Sequence, residues 1–246
     1  MNRIALTLLA PFVFSIGCAV GAEITLDGQW SWQGRNDVRS PNDASASRFA
    51  LDDITGDGPV LSPRLQLLWP VGEGRHEVVA LVAPLRIDGA GSTAAPTRFE
   101  GTTFAPGVVR ARYQFDSWRL GWRYRWIDRP DLVVRLGATA KLRDASIELI
   151  QGSTPARKDN TGFVPLLHAS IEKTLGGPWS LAADIDGLAG GPGYAVDAGA
   201  RVRYAISDDW SVHAGLRFLD GGADNDEVYA FARFTSVTLG FARRFQ

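Results

Sequence analysis

Apolar positions along most of this chain fall two residues apart, the spacing of a β-strand with two unlike faces. Residues 117–142, SWRLGWRYRWIDRPDLVVRLGATAKL, carry it most plainly. Trp118, Leu120, Trp122, Tyr124 and Trp126 share one parity, and Arg119, Arg123 and Arg125 the other. After IDRPD, Leu132, Val134, Leu136, Ala138 and Ala140 alternate with Arg135, Thr139 and Lys141. No segment after residue 23 keeps a helical period. The alternation predicts ten main strands, near 24–35, 61–70, 76–88, 104–127, 131–150, 161–175, 178–188, 194–206, 209–220 and 227–245. Eight or twelve are the alternatives. Apolar parity changes between Phe115 and Trp118 and again between Leu142 and Ala145, which predicts paired bulges in two continuous strands.

The connections alternate in length. PVGEG (70–74), IDRPD (127–131), GGP (176–178) and SDD (207–209) are short, while 36–60, 89–103, 151–160, 189–193 and 220–227 are longer. Phe49 and Leu51 hint at a small hairpin in the first long loop. Short turns on one rim and long loops on the other mark an up-and-down transmembrane barrel, here an all-β, antiparallel one. Trp69, Trp126, Trp179 and Trp210 flank the four short turns, and all eight tryptophans share the outward parity. Indole rings favour the membrane interface, so these four define a girdle on one rim. A soluble barrel would have to bury Arg119, Arg123, Arg135, Arg201 and Arg203 inside. A membrane barrel places them in a polar lumen and turns Trp and Leu to lipid.

The rest of the composition sharpens this picture. The first 22 residues, with Arg3, an apolar run from Ile4 and a Val20-Gly21-Ala22 exit, read as a cleaved signal peptide, leaving residues 23–246 as the barrel. The single cysteine, Cys18, lies in that segment, so the exported chain carries no disulfide. With 26 basic and 27 acidic residues, the charge balance gives no basis for a nucleic-acid partner.

These features together, with the final TSVTLGFARRF, resemble the outer-membrane β-barrel proteins of Gram-negative bacteria. Thr235, Val237, Leu239, Phe241 and Phe245 share one face of that last strand. It is similar to the C-terminal signal read by the barrel-assembly machinery, although Gln246 follows the aromatic and Arg243 stands where an aromatic is common. RLGWRYRW and GGADNDEVYAFARF look like segments of barrels of unassigned function. The resemblance implies an outer-membrane location, lipid and lipopolysaccharide as surroundings, and no cofactor.

One constellation invites chemistry. Pairing Leu175 with Trp179 across the GGP turn sets His168 against Asp186 and Ser170 against Asp184, all facing inward. A Ser/His/Asp set suggests a hydrolase, and His168-Ala169-Ser170 is similar to the His-x-Ser pair of outer-membrane lipid A deacylases. Ile171, however, stands where that family has a polar residue. Omptin proteases carry Asp and His at the outer rim, whereas His76 and His213 here fall near the turn rim. The expectation is a polar lumen cluster in a non-enzymatic barrel, structural or a narrow pore for small ions or solutes; the alternatives are a surface-binding or adhesion barrel acting through its long loops, and a lipid-modifying hydrolase using His168 and Ser170 with Asp184 and Asp186. Arg112 and Glu148 are expected to form an interior ion pair, joining Arg119, Arg123, Arg135, Arg201 and Arg203 in a lumenal network. Inward cations exceed inward anions, so any conducting path would favour anions. The four acids of 220–227 lack the spacing of a calcium loop, and no metal site is expected.

Overall fold

The computed structural model describes residues 21–191 and 193–245. The predicted signal peptide falls almost wholly outside them. The elements, in order, are β1 (Glu23–Arg39), β2 (Phe49–Ala50), α1 (Asp52–Thr55), β3 (Val60–Val71), β4 (His76–Ala83), β5 (Arg86–Thr93), β6 (Thr97–Phe99) and β7 (Thr102–Phe104). They continue as β8 (Gly107–Arg129), β9 (Leu132–Gln151), β10 (Thr154–Gly176), β11 (Trp179–Gly190), β12 (Gly193–Ala205), β13 (Trp210–Asp224) and β14 (Tyr229–Arg244). Each long strand pairs antiparallel with its neighbours in sequence, and β14 returns to β1 from Glu23↔Arg244 to Arg39↔Tyr229. β4 and β5 both pair with β8 and form one wall strand interrupted at Pro84-Leu85. The wall therefore has ten strands and closes on itself through the β14–β1 pairing, so no strand is left as a free edge along its whole length.

Outside, the lower wall is apolar. Leu120 is 61% exposed, and Trp118, Trp122, Trp126, Leu136, Leu142, Ile171, Leu216 and Leu239 point the same way. On β10 this run extends from Phe163 to Leu175. At about 3.3 Å per residue and a tilt near 40° it is roughly 30 Å tall, close to the thickness of a bilayer core. Trp126, Trp179 and Trp210 are exposed at the short-turn rim, and Trp69 is half-buried beside them.

The two expected bulges are absent. β8 and β9 stay in register from Arg110↔Ile150 to Arg125↔Arg135, and their one irregularity lies between Arg125 and Ile127. The backbone keeps its faces, and the environment changes instead. Above the lipid band the polarity of the wall inverts: Val109, Ala111, Tyr113, Ile147, Leu149, Ala156, Ala232 and Phe234 point inward and form a dry core. Arg112 and Glu148 do pair, at 3.3 Å, but on the outer surface, where the Arg112 side chain is 64% exposed. Above lipid both faces obey the rules of a water-soluble protein, so the charges turn out and the apolar groups turn in.

The strands also run further than the loops predicted from sequence allow. Residues 154–160, expected as loop, pair with 145–151, leaving only 152–153 as the turn. β11 continues to Gly190 and β13 to Asp224. In the first long loop, β2 adds to β1 through Asp37↔Ala50 and Val38↔Phe49, and Leu51 opens α1 instead of extending a hairpin. α1 occupies the mouth between β1 and β5, burying Leu51 and Ile54. Its approach needs Gly89: a Cβ there would lie 2.5 Å from the Thr55 Cα. The β6–β7 hairpin adds Phe99 and Phe104, both almost fully buried. Each such side chain contributes on the order of 1.5–3 kcal/mol by leaving water, so the head is a packed lid.

Candidate functional site: the lumen and its charged layer

Below the head most inward positions are polar, Val79 and Leu81 on β4 being exceptions, because even and odd residues of the lower strands divide between lipid and lumen. Arg119 lies at the centre of the resulting network. It donates to Asp186 at 3.0 Å and makes a very short contact with Asp197. Arg217 meets Asp197 at 2.6 Å and Asp184 at 3.3 Å. Arg123 reaches Asp186 at 3.4 Å, and the Thr139 hydroxyl donates to the same carboxylate at 2.9 Å. Arg201 contacts Asp184 at 3.4 Å. Nearer the short-turn rim, Arg135 joins Glu77 at 2.8 Å and Glu172 at 3.5 Å, and Arg203 holds Glu23 at 2.8 Å. His213, absent from the expected network, closes on Asp27 at 2.5 Å. Its odd-parity place on β13 was the sequence signal for it.

The layer divides the lumen. Beneath it lies a polar cavity of about 610 Å³, reaching the short-turn rim at Gly72–Gly74 and Pro130–Asp131. Above it lies a mainly apolar cavity of about 490 Å³ under the head. Among the described residues, Asp186 alone lines both. Of the layer's cations, Arg64 and Lys141 make no ion pair among the described residues. Lys141 is 4% exposed, lies over the Phe115 ring at 4.8 Å, and lines the upper cavity.

His168 and Ser170 lie opposite Asp186 and Asp184 as expected, although Trp179 pairs with Gly176 and not with Leu175, which forms a bulge that restores the register. His168 Nδ1 is 2.9 Å from Asp186. That carboxylate is already shared by Arg119, Arg123 and Thr139, so its charge is neutralised by a structural network. Ser170 makes no hydrogen bond to His168 among the described residues, so the nucleophile–base link of a hydrolase is missing. His76 lies on the outer surface, where Trp122 Nε1 donates to its Nδ1 at 3.1 Å. With three histidines in the chain, the head contains none. Among the described residues no group of His, Cys, Asp and Glu is placed to hold a metal ion.

This is the architecture of a Gram-negative outer-membrane β-barrel with a filled lumen. Among solved structures it is similar to the outer membrane protease OmpT of Escherichia coli, at 10% identity over 92% of this chain and 97% of that one, with a TM-score of 0.56. The attachment invasion locus protein Ail of Yersinia pestis aligns over 92% of this chain and 99% of its own, at 10% identity and a TM-score of 0.40. Neisserial surface protein A aligns at 11% identity, over 91% of this chain and 97% of its own, with a TM-score of 0.36. No protein-family model and no curated protein matches the sequence. The likeness to OmpT is one of fold.

Proposed function

We propose that this chain is an integral barrel of the outer membrane, exported behind a cleaved signal peptide, that acts without enzymatic turnover and without an open pore. The observation that carries the reading is the Arg119–Asp186–Asp197–Arg217 layer between the two cavities. Opening a path would separate buried charges whose pairing offsets several kcal/mol of desolvation per ion. The barrel is on this reading a structural wall element carrying a solid extracellular head. The test is reconstitution of the purified protein into planar bilayers, with fractionation of the cells that make it. The expected result is a silent bilayer and recovery with the outer membrane. Stable unitary conductance would overturn the closed-lumen reading, and recovery from the soluble periplasm would overturn the membrane reading.

A further inference from the structure

The barrel wall has two interruptions, and only one is filled. Between β1 and β5 the space is taken by α1 and its flanking loop, with Gln33 Nε2 donating to the Gly56 carbonyl at 2.6 Å. Between β10 and β11 nothing comparable intervenes among the described residues. β10 is paired with β11 only from Leu167↔Gly187 downward, although it rises to Thr154 and β11 to Gly190. Pro165 stands just above the last pair and has no N–H to extend the ladder. The wall opens there at the level of the lipid band, since Phe163 and Leu167 on either side are 67% and 64% exposed.

The opening joins two apolar spaces. An outer groove of about 520 Å³ on the lipid face and the upper lumenal cavity share Phe163, Pro165, Leu166 and Leu188. Immediately behind lies Lys141, the β9 partner of Val164. It is almost fully buried, lines the upper cavity, and makes no ion pair with a carboxylate among the described residues. Arg143, two residues on, lines the same cavity. The carboxylates that line the same cavity, Asp186 and Asp197, are already engaged by Arg119, Arg123 and Arg217, so this buried ammonium at the cavity floor is left without an ion pair of its own among the described residues. Ligand cavities combine this kind of apolar wall with a few placed polar groups.

We infer that the upper cavity binds a single-chain anionic amphiphile, of the class of a long-chain fatty acid, entering laterally between β10 and β11. Its carboxylate rests on Lys141, with Arg143 beside it, and its chain lies along Ile147, Leu166 and Leu188. The inference rests on the membrane reading above, and its test keeps the two apart. The wild-type barrel in phospholipid nanodiscs is incubated with a diazirine-bearing palmitate, irradiated, and mapped by mass spectrometry. Label is expected on inward residues such as Ile147, Val164, Leu166 and Leu188, at one chain per barrel, displaced by palmitate and weakly by hexadecanol. Lys141→Met is expected to lower palmitate affinity by about ten- to a hundredfold, the loss of one charge-assisted contact. Leu166→Trp, which fills the portal, is expected to abolish inner labelling. Label confined to outward residues such as Phe163, Leu167 and Leu142, or binding unchanged in Lys141→Met, would overturn the inference while leaving a membrane barrel intact. A chain that stays soluble without detergent would overturn the membrane reading itself. Should Lys141→Met fold poorly, the wild-type labelling map decides alone.

Discussion

An arginine placed at Leu136 tests the face assignment on which the site depends. Leu136 is 42% exposed, lies between Tyr124 and Ala169 in its neighbours, and falls near the middle of the outward run Leu132–Leu142. A charge on the lipid face at the bilayer midplane costs about 2–4 kcal/mol. At ~1.4 kcal/mol per decade, Leu136→Arg should shift the folding equilibrium by roughly thirtyfold to several hundredfold. The matched interior position is Ser170, next to Ala169 and hence at the same depth. Its side chain faces the polar cavity of about 610 Å³, with Asp184 opposite on β11. Ser170→Arg gains that carboxylate but approaches Arg135 on β9, so its net effect should stay within about 1 kcal/mol. Both variants would be folded into lipid vesicles and titrated with urea, with the folded fraction read from the faster migration of unheated samples. Equal losses, or a larger loss for Ser170→Arg, would show that the apolar face is the interior and that the membrane reading is wrong.

Three further outcomes follow from the same geometry. Asp197→Ala leaves Arg119 and Arg217 without their shared carboxylate, and breaking a buried pair in this way should cost about 3–5 kcal/mol in the same urea titration. Gly89→Val drives a side chain into Thr55, so α1 should undock and residues 51–59 should exchange amide hydrogens faster and be cut by added protease, while the lower barrel keeps its heat-modifiable migration. On the outer head, burial pushes the Asp37 carboxyl up, but hydrogen bonds from Arg48 and Arg35 outweigh it and hold it below the ordinary carboxylate value. A depressed carboxylate contributes stability that is present above its unfolded pKa and lost as pH falls through the folded one. Loop 40–48 should therefore stay protected from hydrogen exchange at neutral pH and loosen below about pH 4, a dependence that Asp37→Asn should remove.

Which parts of this protein are legible in the sequence follows from which physical rule governs each level of the wall. The lower barrel reads directly, because lipid and lumen impose opposite polarities on alternate residues and a two-residue period survives intact. The His168↔Asp186 register is met by a different route: Trp179 pairs with Gly176 across a tighter turn, and a bulge at Leu175 returns the ladder to the expected pairing. The closing of β10 and β11 is not legible in that way. Pro165 sits in an unbroken alternation, and only the mismatch in strand length reveals that its upper edge has no partner.

The parity change at Phe115–Trp118 is the most informative error. A constant rule, apolar outward, demands that the backbone turn over, and so predicts bulges. The backbone does not turn over: Phe115 pairs with Ala145 and Trp118 with Leu142 in one continuous ladder. The rule changes sign because the solvent does. Below that level the outside is hydrocarbon, and above it the outside is water, so the same face carries Trp118 in one zone and Arg112 in the other. Phe234 inward and Val237 outward repeat the change on β14. The change of parity therefore marks the membrane surface on each strand, and it places the portal at Pro165 just beneath that surface. An amphiphile in the outer leaflet would have its polar end at that height, level with Lys141 behind the wall.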